Sequence, residues 1–485
     1  MKIKLNTKKP ARFKIILPLL ILLTLQCLPS FMRAQTATFE QVYPTAKNQN
    51  GADVLQTSDG GYLVVGTTLN TAANDSAIII MKTDNSGDTL WTKIYGGSGN
   101  ESPSGMLQAA DGNYFIVGYK QSPGGASEEI YLLKIDISGN IIWTETYGSF
   151  GNDHGDQIAA TSDGNYVIAC GSNNNACLMK IDIAGNIIWT KYYAGLGFAS
   201  ARSVALCLDG GFILAGATST TYYGIDSNYV VKTNSSGGVI WSKTYGGPNS
   251  YQGKFVLANS DGSYTLCVDD SSRTRDSDIR LMQISSTGTV LWNKMYGGFL
   301  KDIAKMIQPT TDGGYILVGI TRSFGWSSTN PYMWILKFNS TGDTTWSKHF
   351  GSWYHNHGYA VRQTSDGGYV SVGHEIDVNA VAHIMLVKMD ASGAASVQEF
   401  AINNSLGVYP NPSPDGIVNV DLGGDNTAST FKIINALGQE VFSETNNTSN
   451  QIKTKIIDMG DKASGIYFVT IQSEKYLTTK KLILK

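Results

Sequence analysis

The sequence predicts an all-β protein: a seven-bladed β-propeller over residues 35–400, a linker over 401–406, and a small Ig-like β-sandwich over 407–485. Two landmarks carry the first prediction. An Asp-Gly pair recurs at Asp59, Asp111, Asp163, Asp209, Asp261, Asp312 and Asp366, and a Trp recurs at Trp91, Trp143, Trp189, Trp241, Trp292 and Trp346. Each Trp precedes the next Asp by 20 residues, whereas the distance from Asp to the following Trp varies from 26 to 34. Phe39 also stands 20 residues before Asp59, so it holds the Trp slot ahead of the first repeat. Self-similarity at about 50 residues is the signature of a propeller or solenoid. Composition agrees, since 53 Gly, 25 Tyr and only 16% charged residues suit a turn-rich, exported β protein.

Within one unit four short strands are legible. In the second, MLQAA leads into DGN, YFIVGY follows, IYLLKID leads into ISGN, and IIWTETY completes the unit. Asp-Gly and Ser-Gly supply the positive φ that hairpin turns need. Runs such as Tyr62-Leu63-Val64-Val65 are apolar at successive positions, which predicts strands buried on both faces. Four antiparallel strands per unit favour a propeller over the shorter coils of a β-solenoid. With strands labelled a to d in chain order, the short a–b and c–d turns fall on one face of the disc. The b–c and d–a links fall on the other, and the b–c links carry the length variation, from GSNNNA to ITRSFGWSSTNPY. A ligand site is expected on that variable face.

The repeated Trp residues are expected to pack between blades. The run Lys134, Asp136, Gly139, Trp143 resembles the tryptophan-docking motif of quinoprotein dehydrogenase propellers, with a turn one residue shorter. The resemblance implies a packing role for the Trp and does not by itself imply a quinone; no cofactor is expected.

Before the first repeat, Lys2, Lys4, Lys8, Lys9, Arg12 and Lys14 precede the apolar run Ile15–Leu25. This reads as a signal peptide over 1–34, cleaved between Ala34 and Gln35, and too short to span a bilayer comfortably. Cys27 follows Gln26, a poor residue before a lipidated Cys. No transmembrane segment is expected. Seven of the 37 Lys and Arg and none of the 39 Asp and Glu lie in 1–34, which leaves a net charge of −9 after cleavage. That balance, without a basic stripe, argues against nucleic acid as a partner. Cys170, Cys177, Cys207 and Cys267 remain, and none forms a C-x-x-C pair. Cys170 and Cys177 flank the shortest b–c link and face each other either as a hairpin disulfide or as two buried thiols.

Potentially chemical side chains concentrate in the sixth and seventh units. Trp326 lies in the longest b–c link, Trp353, Tyr354, His355 and His357 in the next d–a link, and His374 and Glu375 at the start of the following b–c link. If the aromatic rings are exposed together, they offer flat apolar surfaces for sugars, and His355 with His357 forms a pair of metal-ligand type lacking a third ligand set by spacing. The alternative is that these are ordinary loop residues, as are Asp153 and Asp156 in GNDHGD. No nucleophile elbow, zinc-protease helix or P-loop is present, so no catalytic residue is assigned. Carboxylate pairs from distant blades stay open as a glycosidase alternative.

After Asp390 the repeat decays, with Val397 in the Trp slot, and new punctuation follows. Tyr409-Pro410-Asn411-Pro412, the hairpin Asn435–Gln439 containing Gly438, Gly465-Ile466-Tyr467 and the final KKLILK ending in Lys485 stand in order. Residues 407–485 thereby resemble the type A C-terminal sorting domain of Bacteroidetes type IX secretion cargo. The resemblance implies Sec export through the periplasm, recognition by the type IX machinery, and removal by a sortase-like peptidase. The passenger is then released or attached to surface lipopolysaccharide. The leading expectation is a secreted or surface-displayed binding protein for a glycan or protein ligand. A polysaccharide-active enzyme and a passive structural or adhesive component are the alternatives.

Overall fold

Each Asp-Gly landmark closes a hairpin through its own side chain. At the first, Gly60 takes φ +85°, a region that disfavours a Cβ, while Asp59 Oδ1 accepts hydrogen bonds from the Gly61 N–H at 3.0 Å and the Thr57 hydroxyl at 2.5 Å. Repetition of this turn divides Phe39–Met389 into seven four-stranded antiparallel sheets, each built from a contiguous a-b-c-d run except the last. The computed structural model describes residues 38–485 apart from 71–74, 98, 122–126, 149–150, 221–226, 247–250, 272–276, 325–329, 353, 396–406, 422–428, 436–439, 447–453 and 474–476. The expected signal segment, the Ala34–Gln35 cleavage point, Val397, the linker and Gly438 lie outside the described residues. No helix long and apolar enough to cross a membrane occurs among the described residues.

The seventh sheet joins the two ends of the disc. Strands Asn356–Gln363, Tyr369–Ile376 and Ala382–Met389 are completed by Phe39–Tyr43. Phe39 sits opposite Lys388, the register that places Trp91 opposite Lys82 and Trp143 opposite Lys134. Phe39 therefore fills the aromatic slot that its spacing predicts. Tyr62, Leu63, Val64 and Val65 are all fully buried, as a strand sandwiched between neighbouring blades must be.

Each Trp ring meets the following blade. A Cβ added to Gly139, whose φ is +73°, would lie 2.7 Å from the Trp91 ring, so this close approach needs a glycine. Four residues after five of the six Trp stands a Tyr whose hydroxyl donates to a glycine carbonyl of the following blade: Tyr95 to Gly139 at 2.5 Å, Tyr147 to Gly185 at 2.6 Å, Tyr193 to Gly237 at 3.0 Å; Phe350 takes that place after Trp346.

The Lys of each c strand is buried against the turn Asp of its own blade. Lys82–Asp59, Lys134–Asp111, Lys180–Asp163, Lys232–Asp209, Lys337–Asp312 and Lys388–Asp366 pair at 2.6–2.9 Å. In the fifth blade Gln283 replaces the Lys and reaches Asp261 through the Ser263 hydroxyl. The blades differ in how much water reaches the carboxylate, with side-chain exposure of 55% at Asp59 and 10% at Asp366. Breaking a buried pair by removing one partner costs about 3–5 kcal/mol because the other charge is stranded. Lys388→Met should therefore destabilise by that amount, and Lys82→Met by much less, since Asp59 can rehydrate. Urea midpoints of the two variants check this, and equal losses would reject it.

Cys170 and Cys177 are directly opposite in the third sheet and form a disulfide with Cα atoms 4.9 Å apart. Their link is a two-residue turn with Asn173 and Asn174 at φ 48° and 64°. Three placements differ from expectation. His374 and Glu375 belong to strand Tyr369–Ile376 rather than to the b–c link, and His357 belongs to strand Asn356–Gln363 rather than to the d–a link. Asp156 lies inside strand His154–Ala160, not in a loop. Polar residues at strand ends near an aqueous channel lack the apolar pattern that marks a strand.

Among its described residues the C-terminal domain has seven strands in two antiparallel sheets, Gly407–Tyr409, Ile417–Asp421 and Thr454–Asp458 in one, and Glu440–Asn446, Ser429–Asn435, Gly465–Ser473 and Leu477–Leu484 in the other. Val418, Val420, Ile433, Ile457, Met459, Tyr467, Val469, Leu482 and Leu484 form its core.

Candidate functional site

Every innermost strand carries a one-residue bulge at the same place. The seven a strands are Gln49–Gln56, Glu101–Gln108, His154–Ala160, Phe198–Leu206, Tyr251–Ala258, Asp302–Pro309 and Asn356–Gln363. In each, one residue has no partner across the ladder to strand b: Ala52, Ser104, Asp156, Arg202, Lys254, Lys305 and Tyr359. An extra residue bends a strand and re-aims its side chain. Five of the seven line an axial cavity of about 450 Å³, together with Asn50, Thr67, Ser102, Pro103, Phe255 and Met306. These residues sit near the starts of the a strands, so the cavity occupies the half of the channel nearest the variable b–c and d–a links.

Small residues precede the bulge in all seven blades, namely Gly51, Pro103, Gly155, Ala201, Gly253, Ala304 and Gly358. A Cβ on Gly51 would fall 2.4 Å from Val372 Cγ2 in the preceding blade, which shows how closely the inner strands approach. Side chains just after the bulge satisfy backbone groups of the next blade: Asp53 accepts from the Met106 N–H at 2.9 Å, Gln157 from Val204 at 3.0 Å, and Ser203 from Val256 at 3.1 Å. Asp53 also accepts from Arg362 at 2.8 Å, which ties blade one to blade seven.

The channel is electrostatically lopsided. Arg202, Lys254 and Lys305 occupy the bulge position on three consecutive blades, beside Asp156 on the blade before them. Burial pushes the Asp156 carboxyl up to about 6, against the opposing pull of Arg202, His154 and Lys254. Lys254 pairs with Asp269 at 3.2 Å. Burial, then the charges of Lys254, Arg202 and Lys301, lower the Lys305 ammonium below the usual lysine range, against Asp269. Its ammonium lies 5.2 Å from the Tyr359 ring centroid and, among the described residues, has no ion-pair partner.

On blade seven, His357 and His374 face each other across the ladder with ring centroids 4.7 Å apart, and Tyr359 lies 5.6 Å from His374. Burial, reinforced by Lys305 and His355, lowers His357 to about 4, and burial with His357 and Lys305 lowers His374 to about 3, so both are neutral at pH 7. Tyr354 and His355 are exposed beside them. Trp326 and Trp353 lie outside the described residues. No cluster of three or more His, Cys, Asp or Glu suited to a metal occurs among the described residues. The bulge ring was missed in the sequence although a signal exists, because all seven residues stand seven places before the turn Asp of their unit.

In the C-terminal domain the motif residues converge. Asn411 Oδ1 accepts from the Ile483 N–H at 3.0 Å, the Ser413 N–H donates to the Ile483 carbonyl at 2.8 Å, and the Lys485 N–H donates to the Ser413 carbonyl at 3.0 Å. The Tyr409–Pro412 segment thus clamps the end of the last strand. Gly465 pairs with Leu484, and the buried Tyr467 donates to the Ala463 carbonyl at 2.7 Å.

No curated protein matches the chain. Among solved structures it is similar to PorZ, an essential surface component of the type-IX secretion system of Porphyromonas gingivalis, at 12% identity over 88% of this chain and 69% of that one, with a TM-score of 0.31. It is also similar to the β-propeller domain of the Trilobed protease from Pyrococcus furiosus, at 10% identity over 74% and 99% of the two chains, with a TM-score of 0.41. Puromycin hydrolase is similar at 13% identity over 77% and 58%, with a TM-score of 0.45. At such values neither activity nor ligand transfers. The family model of the secretion system C-terminal sorting domain matches residues 407–485. Those residues belong to that family, and the protein is type IX secretion cargo with a β-propeller passenger.

Proposed function

We propose that this cargo is a non-enzymatic binding module, secreted or displayed at the outer surface, whose ligand enters the axial cavity from the face of the variable links. The observation that carries the reading is the ring of bulge residues, five of which line a common cavity of about 450 Å³, within the size range of small-molecule sites. The lining supports binding over glycoside hydrolysis, which needs two carboxyl groups flanking the bond. Among the described lining residues the one carboxylate is Asp156. A glycan or a protein loop is the ligand class, and the expected platform of Trp326, Trp353, Tyr354, His355 and His357 remains part of the proposal as the rim of that entrance.

The test is a glycan-array and surface-protein screen with the secreted chain, comparing wild type with Ser104→Trp, which fills the cavity from an exposed bulge position. Wild type should bind, and Ser104→Trp should lose about tenfold or more, about 1.4 kcal/mol, without a change in melting temperature. Undiminished binding by Ser104→Trp removes the cavity from the account. Loss confined to a Trp326→Ala/Trp353→Ala variant transfers the site to the rim, and turnover of a bound polysaccharide would replace the binding reading with an enzymatic one.

A further inference from the structure

We infer that the axial cavity selects an anionic ligand, one bearing a carboxylate or phosphate group; the inference rests on the cavity being the ligand site. The first ground is position. Arg202, Lys254 and Lys305 come from the same bulge on three adjacent inner strands; Lys305 lines the cavity, and Arg202 and Lys254 stand near enough to act on the lining carboxylate Asp156. The second is contrast. After removal of 1–34 the chain carries a net charge of −9, yet the charges gathered at the bulge ring are three cations and one carboxylate. Like charges repel across low-dielectric walls, and although Lys254 is offset by Asp269 at 3.2 Å, Lys305 has no ion-pair partner among the described residues.

The third ground is the state of Lys305. It lines the cavity, its ammonium lies over the face of Tyr359 with no ion-pair partner among the described residues, and burial together with the neighbouring cations disfavours its charge. An anion placed beside it relieves that repulsion. The six Lys of the turn pairs, and Lys254 through Asp269, are each paired with an Asp of their own blade, so Lys305 is a different use of lysine within the same repeat. His357 and His374, both neutral, leave the contribution of blade seven uncharged. Asn50, Thr67, Ser102 and Ser104 line the rest of the cavity and supply neutral hydrogen-bonding groups, the complement of a sugar-like body carrying an acid group.

The opposing carboxylate gives the test two directions. Asp156→Asn removes the one negative charge in the lining, and Lys305→Met removes a positive one while keeping the length of the side chain. Titration calorimetry of the full secreted chain would use trigalacturonate, inorganic phosphate and neutral trigalactose at low salt. Trigalacturonate or phosphate should bind and trigalactose should not, and which of the two anions binds more tightly identifies the acid group. Lys305→Met should weaken the anion at least tenfold, and Asp156→Asn should tighten it about threefold or more. A misfolded variant cannot produce a gain, so the Asp156→Asn arm is decisive even if Lys305→Met is unstable. Equal binding of trigalactose, or an Asp156→Asn affinity that is unchanged or weaker, overturns the anion inference and leaves the binding module standing. Absence of binding by all three probes overturns it as well. A trigalacturonate affinity that Ser104→Trp does not alter overturns the cavity itself.

Discussion

Removing residues 38–45 should abolish the folded propeller, or lower its melting temperature by about 10 °C or more. The segment is short, but nothing else described in the chain can take its place. Phe39–Tyr43 pairs along its whole length with Ala382–Met389, so its loss bares an edge in the one blade where the disc is joined. Phe39 is 1% exposed, with its ring over Gly87 and edge-on to Tyr62 of blade one at 6.0 Å. The Tyr43 hydroxyl donates to the Gly87 carbonyl at 2.6 Å, and Glu40 accepts from the Gly351 N–H at 3.0 Å. Phe39→Ala alone should cost about 3–5 kcal/mol, the range for truncating a buried Phe. Differential scanning calorimetry of both variants measures this. A truncated chain that melts with wild type would mean that another segment, such as that at Val397, closes the ring equally well.

Deleting residues 407–485 should stop delivery to the surface or medium while the passenger still folds. The sorting domain has its own apolar core and ends in a strand fastened by Asn411 and Ser413, so its removal takes away one self-contained body. The passenger keeps its seven sheets, whose strands, among the described residues, pair only with one another. Fractionation should place the truncated protein in the periplasm, and its purified form should show an unchanged unfolding transition. Secretion of the truncated chain at the wild-type level would sink the export reading. Unfolded, degraded protein would show instead that passenger and tail depend on one another for stability.

What the sequence disclosed follows from which physics leaves a periodic mark. Turn Asp residues and inter-blade Trp residues recur at a fixed spacing because each blade must reproduce the same hairpin and the same contact, and Phe39 was legible for the same reason. The sorting motifs were legible because Tyr409–Pro412 and the final strand hold each other, so both ends of the domain carry recognisable residues. The burial of Lys82 and its five equivalents left no mark, since sequence alone does not show that a Lys is covered by its own blade's turn. His374 and Glu375 read as loop residues because polarity outweighed their place at the end of a strand. The axial residues were hidden by a different effect. Their identities range from Ala52 to Arg202, and only their constant distance from the turn Asp marks them.

The bulge also separates two kinds of change that most sheets couple. In an ordinary ladder, substituting a residue alters its cross-strand partner and therefore the cohesion of the sheet. Here the extra residue has no such partner in any of the seven blades. The duties of the inner strand fall on its neighbours instead, on the small residue before it and the side chain after it. The axial position is thus free to vary over Ala, Ser, Asp, Arg, Lys and Tyr within one molecule. The scaffold behaves as a fixed socket with exchangeable contacts, whose recognition chemistry can be rewritten by point substitution without repacking a blade.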